Sequence, residues 1–189
     1  MNVGNKIFQQ FQKMIETTMV VGDIFADSIA NGSKTLTDSL LEGGTIFTCG
    51  DQSGILVTNL FCRYLTHGID IDRPGFPALN LNAQSEGFVQ EDRYSSLLSM
   101  HGNKVDTLFV VSGGGNSPAL IKLLNSAIEK GMSIVLLSSG RDEALVECLG
   151  YTDTLITLSD LSPQMVTLAQ VQIAQCMCTL IDNKILGGM

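Results

Sequence analysis

Five short apolar runs, spaced along the chain from residue 45 onward, constrain the fold more than any other feature of the sequence. They cover residues 45–49, 78–81, 107–111, 133–137 and 154–158. Because these runs lack strict polar–apolar alternation, they predict strands that are buried on both faces of a parallel sheet. Parallel strands need crossover connections, and the segments between the runs have helical patterns. The sequence therefore predicts an α/β fold, a doubly wound (Rossmann-like) domain with a five-stranded parallel sheet.

The segment before the sheet is predicted to be helical. Apolar residues recur at helical spacing over residues 7–29. Ser33 is a good N-cap for a second helix, which we expect to stop at Gly43. No linker or repeat interrupts the chain, so we expect a single domain over residues 1–189, with N-terminal helices in residues 1–42 and an α/β core in residues 43–189.

Composition excludes several classes of function. Of the 189 residues, 44% are hydrophobic and 16% are charged, which excludes intrinsic disorder. The net charge of −8 argues against direct binding to nucleic acid or to anionic membranes, both of which favour a basic surface. A charged fraction this low indicates that part of the surface is buried against other copies of the chain, so we expect an oligomer.

The sequence contains no pattern that is typical of a targeting segment or of a metal-binding site. The N-terminal residues lack the apolar core of a signal peptide, and no run reaches the length of a membrane span. The five cysteines have no CxxC spacing, and the two histidines form no HxxxH or HExxH pair. We therefore expect a cytoplasmic protein that needs no cofactor and no metal ion.

Two strand ends carry the residues that could bind a ligand, because ligands of open parallel sheets bind beyond the carboxyl ends of the strands. Glycines let the backbone approach a ligand, and the start of the following helix favours an anion such as phosphate. Neither segment is a Walker A motif or a complete GxGxxG motif. The candidate ligand-binding residues are Gly50, Asp51, Gln52 and Ser53 after the first strand, and Ser112, Gly113, Gly114, Gly115, Asn116 and Ser117 after the third.

Residues 43–189 resemble the sugar isomerase (SIS) domains, in particular the phosphoheptose isomerase group and the related group of DnaA initiator-associating proteins. The resemblance is carried by the strand that ends at Gly50, by the Arg-Pro-Gly-Phe-Pro-Ala segment at 73–78, and by Gly-Asn-Ser at 115–117. The closing stretch at 176–183 is especially similar to the end of the DnaA-associating group.

The resemblance implies the SIS fold, a homotetramer built through the leading helices, and a small anionic sugar phosphate as ligand. It also implies a DnaA-type initiator protein as partner. In the DnaA-associating group an apolar pair just after the Leu-Ile-Asp-Asn stretch belongs to the partner-binding surface. Ile185 and Leu186 occupy that place here.

The two loops depart from the family pattern in ways that weaken phosphate binding. The family's first loop reads Gly-Asn-Gly-Gly-Ser, and Asp51 here adds a negative charge where a phosphate would otherwise be welcomed. In the second loop, Gly113 and Gly114 replace two residues with hydroxyl donors.

The catalytic positions depart further. Where the isomerases carry a His and a Glu as metal ligands, this chain has Leu60 and Tyr64. Where their last helix supplies a Gln, a Glu and two His residues, the alignment places Thr167, Leu168, Gln170 and Gln175. Aldose–ketose isomerisation needs a general base and a group that polarises the carbonyl. Acidic or basic side chains elsewhere that could substitute are Glu86, Glu91, Asp92 and His101, and we interpret each as a solvated surface residue.

The sequence therefore favours a non-catalytic SIS-domain protein, similar to the DnaA initiator-associating group, with no catalytic residues assigned. A phosphoheptose isomerase with reassigned residues is the first alternative. A sensor whose only role is to bind a sugar phosphate or amino sugar is the second.

Overall fold

The sheet is parallel throughout. The computed structural model describes residues 2–69, 72–85 and 91–187. Its strands are β1 (Ile46–Gly50), β2 (Ala78–Asn80), β3 (Thr107–Val111), β4 (Ser133–Ser138) and β5 (Thr154–Thr157), in the order β2-β1-β3-β4-β5. Each strand is paired in parallel with its neighbours. The predicted α/β fold with a doubly wound, five-stranded parallel sheet is confirmed, and each strand boundary differs from its predicted run by at most one residue.

Helices cover both faces of this sheet. They are α1 (Val3–Ile24), α2 (Ala26–Leu41), α3 (Gly54–His67), α4 (Leu81–Gln84), α5 (Arg93–His101), α6 (Pro118–Glu129), α7 (Glu143–Val146) and α8 (Pro163–Leu186). Side chains alternate between the faces of each strand. Phe109 and Val111 of β3 therefore pack with α2, α3 and α8, whereas Leu108 and Val110 pack with α5 and α6.

The junction between the first two helices differs from the prediction. The break between α1 and α2 lies at Phe25, and α2 continues through Ser33. Ser33 is buried within α2, and its hydroxyl donates to the carbonyl oxygen of Ile29 at 2.7 Å. The prediction was wrong because a serine hydroxyl can bond back to the carbonyl one turn earlier as well as cap a helix.

Most of α1 lies outside the core. Val21 is its buried residue, near the C-terminal end of the helix. The Thr18 hydroxyl and the Gln172 side-chain amide are joined by hydrogen bonds of 2.8 and 3.1 Å, which tie α1 to α8. Large apolar side chains along the rest of the helix are exposed, among them Ile7, Phe8, Phe11, Ile15 and Met19.

α8 is a core helix that also has the length and composition of a membrane span. An 18-residue window of this helix has a mean hydropathy of 1.2, and half of that window is buried inside the fold. Its buried residues include Ile173, Met177 and Ile181, which pack with α2 and α3. Buried apolar residues of this kind explain the hydropathy without a membrane.

A buried ion pair holds the end of α8 in place. Arg73 and Asp182 are only 2% and 5% exposed at their side chains, and their nearest charged atoms lie 2.8 Å apart. The Arg73 guanidinium also donates to the carbonyl oxygens of Leu65, at 2.8 Å, and Tyr64, at 3.1 Å. It stacks over the Phe76 ring at 3.8 Å. The pair therefore joins the C-terminal ends of α3 and α8 to the segment that leads into β2.

Asp182→Ala is expected to destabilise the protein by about 3–5 kcal/mol, because it leaves the Arg73 charge buried without a counter-charge. Asp38→Ala is the matched control, since Asp38 pairs with Lys34 on the exposed face of α2. Such exposed pairs contribute about 1 kcal/mol or less. Urea unfolding of both variants at one protein concentration measures the difference, and equal losses would contradict it.

Candidate functional site

Two loops meet where the order of the sheet reverses. β1 and β3 are neighbours, and the helices that follow them, α3 and α6, lie on opposite faces of the sheet. The β1 loop (residues 51–53) and the β3 loop (residues 112–117) therefore leave the same edge on either side of a crevice. The sequence predicted this juxtaposition from the strand ends alone.

Asp51 connects the two loops directly. Its carboxylate accepts a hydrogen bond of 2.7 Å from the backbone N–H of Gly113. Burial raises the pKa of Asp51 above its usual value, and the nearby carboxylate of Asp142 raises it further, although the bonds from Gly113 N–H and the Ser112 hydroxyl act in the opposite direction. An acidic side chain thus lies between the two loops of the predicted ligand site.

Gln52 makes the second connection. Its backbone lies in the left-handed region, with φ of 44°, and its side-chain amide donates to the Gly114 carbonyl oxygen. A side chain at Gly113 would not fit, because a Cβ there would lie 2.9 Å from both the backbone nitrogen and the hydroxyl oxygen of Ser53. The glycine at this position is therefore explained by the close approach of the two loops.

The three glycine N–H groups of the β3 loop all have partners within the protein. Gly113 donates to Asp51 at 2.7 Å, and Gly114 donates to the Ser112 hydroxyl oxygen at 3.3 Å. Gly115 donates to the carbonyl oxygen of Arg141 at 2.9 Å. The backbone donors that a glycine loop usually offers to an anion are already used.

The other predicted residues are held by neighbouring elements. Gly50 exchanges two hydrogen bonds with the Asn82 side chain, at 2.8 and 2.9 Å. The Asn116 side chain accepts from the N–H of Ala144 at 3.0 Å and so faces α7. Ser117 is the N-cap residue of α6, but its side chain makes no capping hydrogen bond within the described residues. Asn82 was not among the predicted site residues. It follows the end of β2, so the strand-end rule applied to β1 and β3 could have identified it.

A cleft of about 310 Å³ opens beside the loops. It is lined by Gln52, Ser53, Gly113, Gly114, Gly115, Arg141, Pro163, Val166 and Thr167. Arg141 is exposed and adds a positive charge to the cleft. It was not among the predicted site residues. It follows the end of β4, so the rule that pointed to β1 and β3 could have found it.

The positions that align with the isomerases' catalytic residues do not assemble a catalytic group. Tyr64 packs against the core, and Gln175 is exposed on α8. Gln170 is fully buried, and its amide donates to the Ser112 carbonyl oxygen at 2.8 Å, which makes it a brace for the β3 loop. Across residues 2–69, 72–85 and 91–187, no three His, Cys, Asp or Glu side chains lie together in a way that could hold a metal ion.

The side chains considered as substitutes lie away from the cleft or outside the described residues. Glu91 and Asp92 pair with Lys122 on the surface, at 3.2 and 2.8 Å. His101 is exposed at the last position of α5. Glu86 lies outside the described residues.

The predicted partner-binding pair at the end of α8 has two environments. Ile185 is partly buried against the core on the α2–α3–α8 side of the sheet. Leu186 is 45% exposed. Leu186 is thus the member of the pair that is available to a partner in this chain.

Comparisons with known proteins agree with this architecture. The SIS domain matches residues 9–139. The DnaA initiator-associating protein DiaA of Klebsiella pneumoniae subsp. pneumoniae is 26% identical over 182 residues, which span 93% of each chain. DiaA of Edwardsiella ictaluri is 27% identical with the same coverage. A phosphoheptose isomerase structure from Francisella tularensis superposes with a TM-score of 0.84 at 20% identity, covering 97% of this chain and 100% of that one.

Asp51→Asn is expected to gain stability relative to the wild type as the pH rises. Because the folded-state pKa of Asp51 is raised, the folded protein holds this proton more tightly than the unfolded chain does. The wild type therefore loses stability as the pH rises from the unfolded-state pKa through the folded-state pKa, and the variant does not.

Urea unfolding of both proteins between pH 4 and pH 8 measures this trend. Glu129→Gln removes an exposed carboxylate at the far end of α6 and controls for the change in net charge. A stability difference between wild type and Asp51→Asn that stays constant across the pH range would show that burial of Asp51 has no cost.

Proposed function

Because the chain belongs to the SIS domain family, we propose that it is a non-catalytic, DiaA-like regulator that binds a sugar phosphate and associates with a DnaA-type initiator protein. One observation carries this proposal: the two-loop crevice of the fold is present, while the aligned catalytic positions hold no carboxylate and no imidazole. We also propose that residues 1–189 form one SIS domain in the cytoplasm.

The crevice supports ligand binding. Its volume of about 310 Å³ is at the lower end of the range for small-molecule sites, which is about 300–1,000 Å³. Hydroxyls of Ser53 and Thr167 and the charge of Arg141 line it. Five of the ten predicted loop residues line it, namely Gln52, Ser53, Gly113, Gly114 and Gly115.

The same residues argue against isomerisation. Moving a proton between adjacent carbons requires a positioned base, and Leu60 and Thr167 offer none at neutral pH. Gln170 uses its amide to hold the Ser112 carbonyl oxygen. The Asp51 carboxylate is bonded to the Gly113 N–H of the β3 loop.

The exposed apolar face of α1 is the basis for a proposed assembly of several chains. Its exposed side chains form an apolar surface that a second copy of the chain would bury, and we propose a homotetramer built through α1 and α2. The net charge of −8 argues against direct contact with nucleic acid, so an effect on DNA replication would act through a protein partner.

Ile185→Ala combined with Leu186→Ala is expected to weaken capture of the source organism's DnaA protein by at least about tenfold, since the exposed apolar contact of Leu186 and the accessible part of Ile185 are lost. Light scattering should give four times the 20.3 kDa chain mass for both the wild type and the variant. Ile128→Ala with Tyr151→Ala is the control, because both side chains are exposed elsewhere on the surface. Unchanged capture, or loss of the tetramer in the variant, would contradict the assignment of this surface to DnaA.

The purified protein is expected neither to hold stoichiometric zinc nor to isomerise sedoheptulose 7-phosphate. A zinc site needs about three converging nitrogen, sulfur or carboxylate ligands, and Leu60, Tyr64 and Thr167 cannot provide them. Loss of a general base alone costs about two to four orders of magnitude in rate. Metal analysis and a coupled turnover assay test both statements. One zinc per chain together with turnover above about 1 s⁻¹ would favour an isomerase with reassigned residues.

A further inference from the structure

Arg141 occupies a fixed position above the β3 loop. Its backbone is held on one side by the Gly115 N–H, which donates to its carbonyl oxygen at 2.9 Å. On the other side Gly140, with φ of 79°, packs so closely on the segment after β5 that a Cβ would lie 2.3 Å from the Cα of Ser159. The guanidinium Nε lies 4.0 Å from the point where a Cβ on Gly114 would stand. The side chain therefore starts from an anchored backbone and covers the glycine face of the cleft.

The backbone beside Arg141 offers little to an anion. The N–H groups of Gly113, Gly114 and Gly115 are bonded to Asp51, Ser112 and Arg141 respectively. At the start of α3, the Gly54 N–H donates to the Asp51 carbonyl oxygen at 2.7 Å. The glycine N–H groups of the β3 loop are therefore not free to bind an anion in this cleft, which gives the side chains that line it a larger part.

The charged residues around the cleft indicate which side chain could hold a phosphate. The Asp51 carboxylate lies between the loops, and Asp142 is close enough to raise its pKa. Both carboxylates repel a phosphate. Arg141 is the basic residue that lines the cleft. A guanidinium binds phosphate with two parallel hydrogen bonds, which a neutral sugar hydroxyl cannot match.

We propose that Arg141 is the specificity-determining residue of this cleft and that it selects phosphorylated over unphosphorylated sugars by binding the phosphate group. The inference rests on the proposed sugar-phosphate function and adds to it a residue outside the two loops. It also explains how a cleft bordered by Asp51 can accept an anionic ligand.

The test is isothermal titration of the whole protein with sedoheptulose 7-phosphate, with unphosphorylated sedoheptulose and with inorganic phosphate. Arg141→Ala should weaken binding of both phosphate-containing probes by about 10- to 100-fold, the range expected for hydrogen bonds to a charged group. Binding of sedoheptulose should not change. Arg141→Lys should give an intermediate loss, because lysine keeps the charge but loses the two-bond geometry.

Arg63→Ala is the matched control, since Arg63 is exposed on α3 away from its N-terminal end. Equal affinity of the wild type and Arg141→Ala for sedoheptulose 7-phosphate would overturn the role of Arg141 and leave the proposed function standing. Equal loss in Arg63→Ala would reduce the effect to net charge and would also overturn it. A wild type that binds neither phosphate-containing probe would overturn both the role of Arg141 and the sugar-phosphate part of the proposed function.

Discussion

The buried pair of Arg73 and Asp182 is the interaction on which the arrangement of this protein depends. A guanidinium in an apolar core is tolerated only where its donors find acceptors, and here a carboxylate and the carbonyl oxygens at the end of α3 provide them. The position of α8 relative to α3 is thereby set. α8 in turn carries Gln170, which holds the Ser112 carbonyl oxygen, and Gln172, which holds α1. A charge pair at the C-terminal end of α8 thus supports both the β3 loop and α1.

The two loops that border the crevice are held to each other by hydrogen bonds. Asp51 and Gln52 reach across to the β3 loop, and the loop returns to Arg141, so three strand ends are joined without any ligand. An isomerase site must keep a base and polar donors free for the substrate, whereas this one uses its donors to hold its own backbone. That difference agrees with the proposed non-catalytic function, and it is why the side chain of Arg141 carries the proposed recognition.

Much of the fold was predictable because buried parallel strands have a strong local pattern. The runs that became β3 and β4 are apolar after their first residue, and the glycine loops after β1 and β3 mark the crevice. The break at Phe25 was not predictable, because Ser33 has the residue type of a cap but is buried by α2's packing against β5 and α8. Arg141 and Asn82 follow the ends of β4 and β2, where the strand-end rule could have identified them. Their partners, Gly115 and Gly50, could not be predicted, because long-range pairings of single polar residues leave no periodic pattern in the sequence.

The exposed length of α1 links folding to chain concentration. The helix has 22 residues and is therefore about 33 Å long, with burial within its own chain confined to Val21 near one end. Most helical stability in proteins comes from the packing of an apolar face, and in the homotetramer proposed above the exposed face of α1 would pack against other chains. In that assembly the free energy of folding would contain an association term, and dilution would favour chains with a frayed N-terminus. The cellular concentration of the chain would then act on its structure as well as on its proposed binding to a partner.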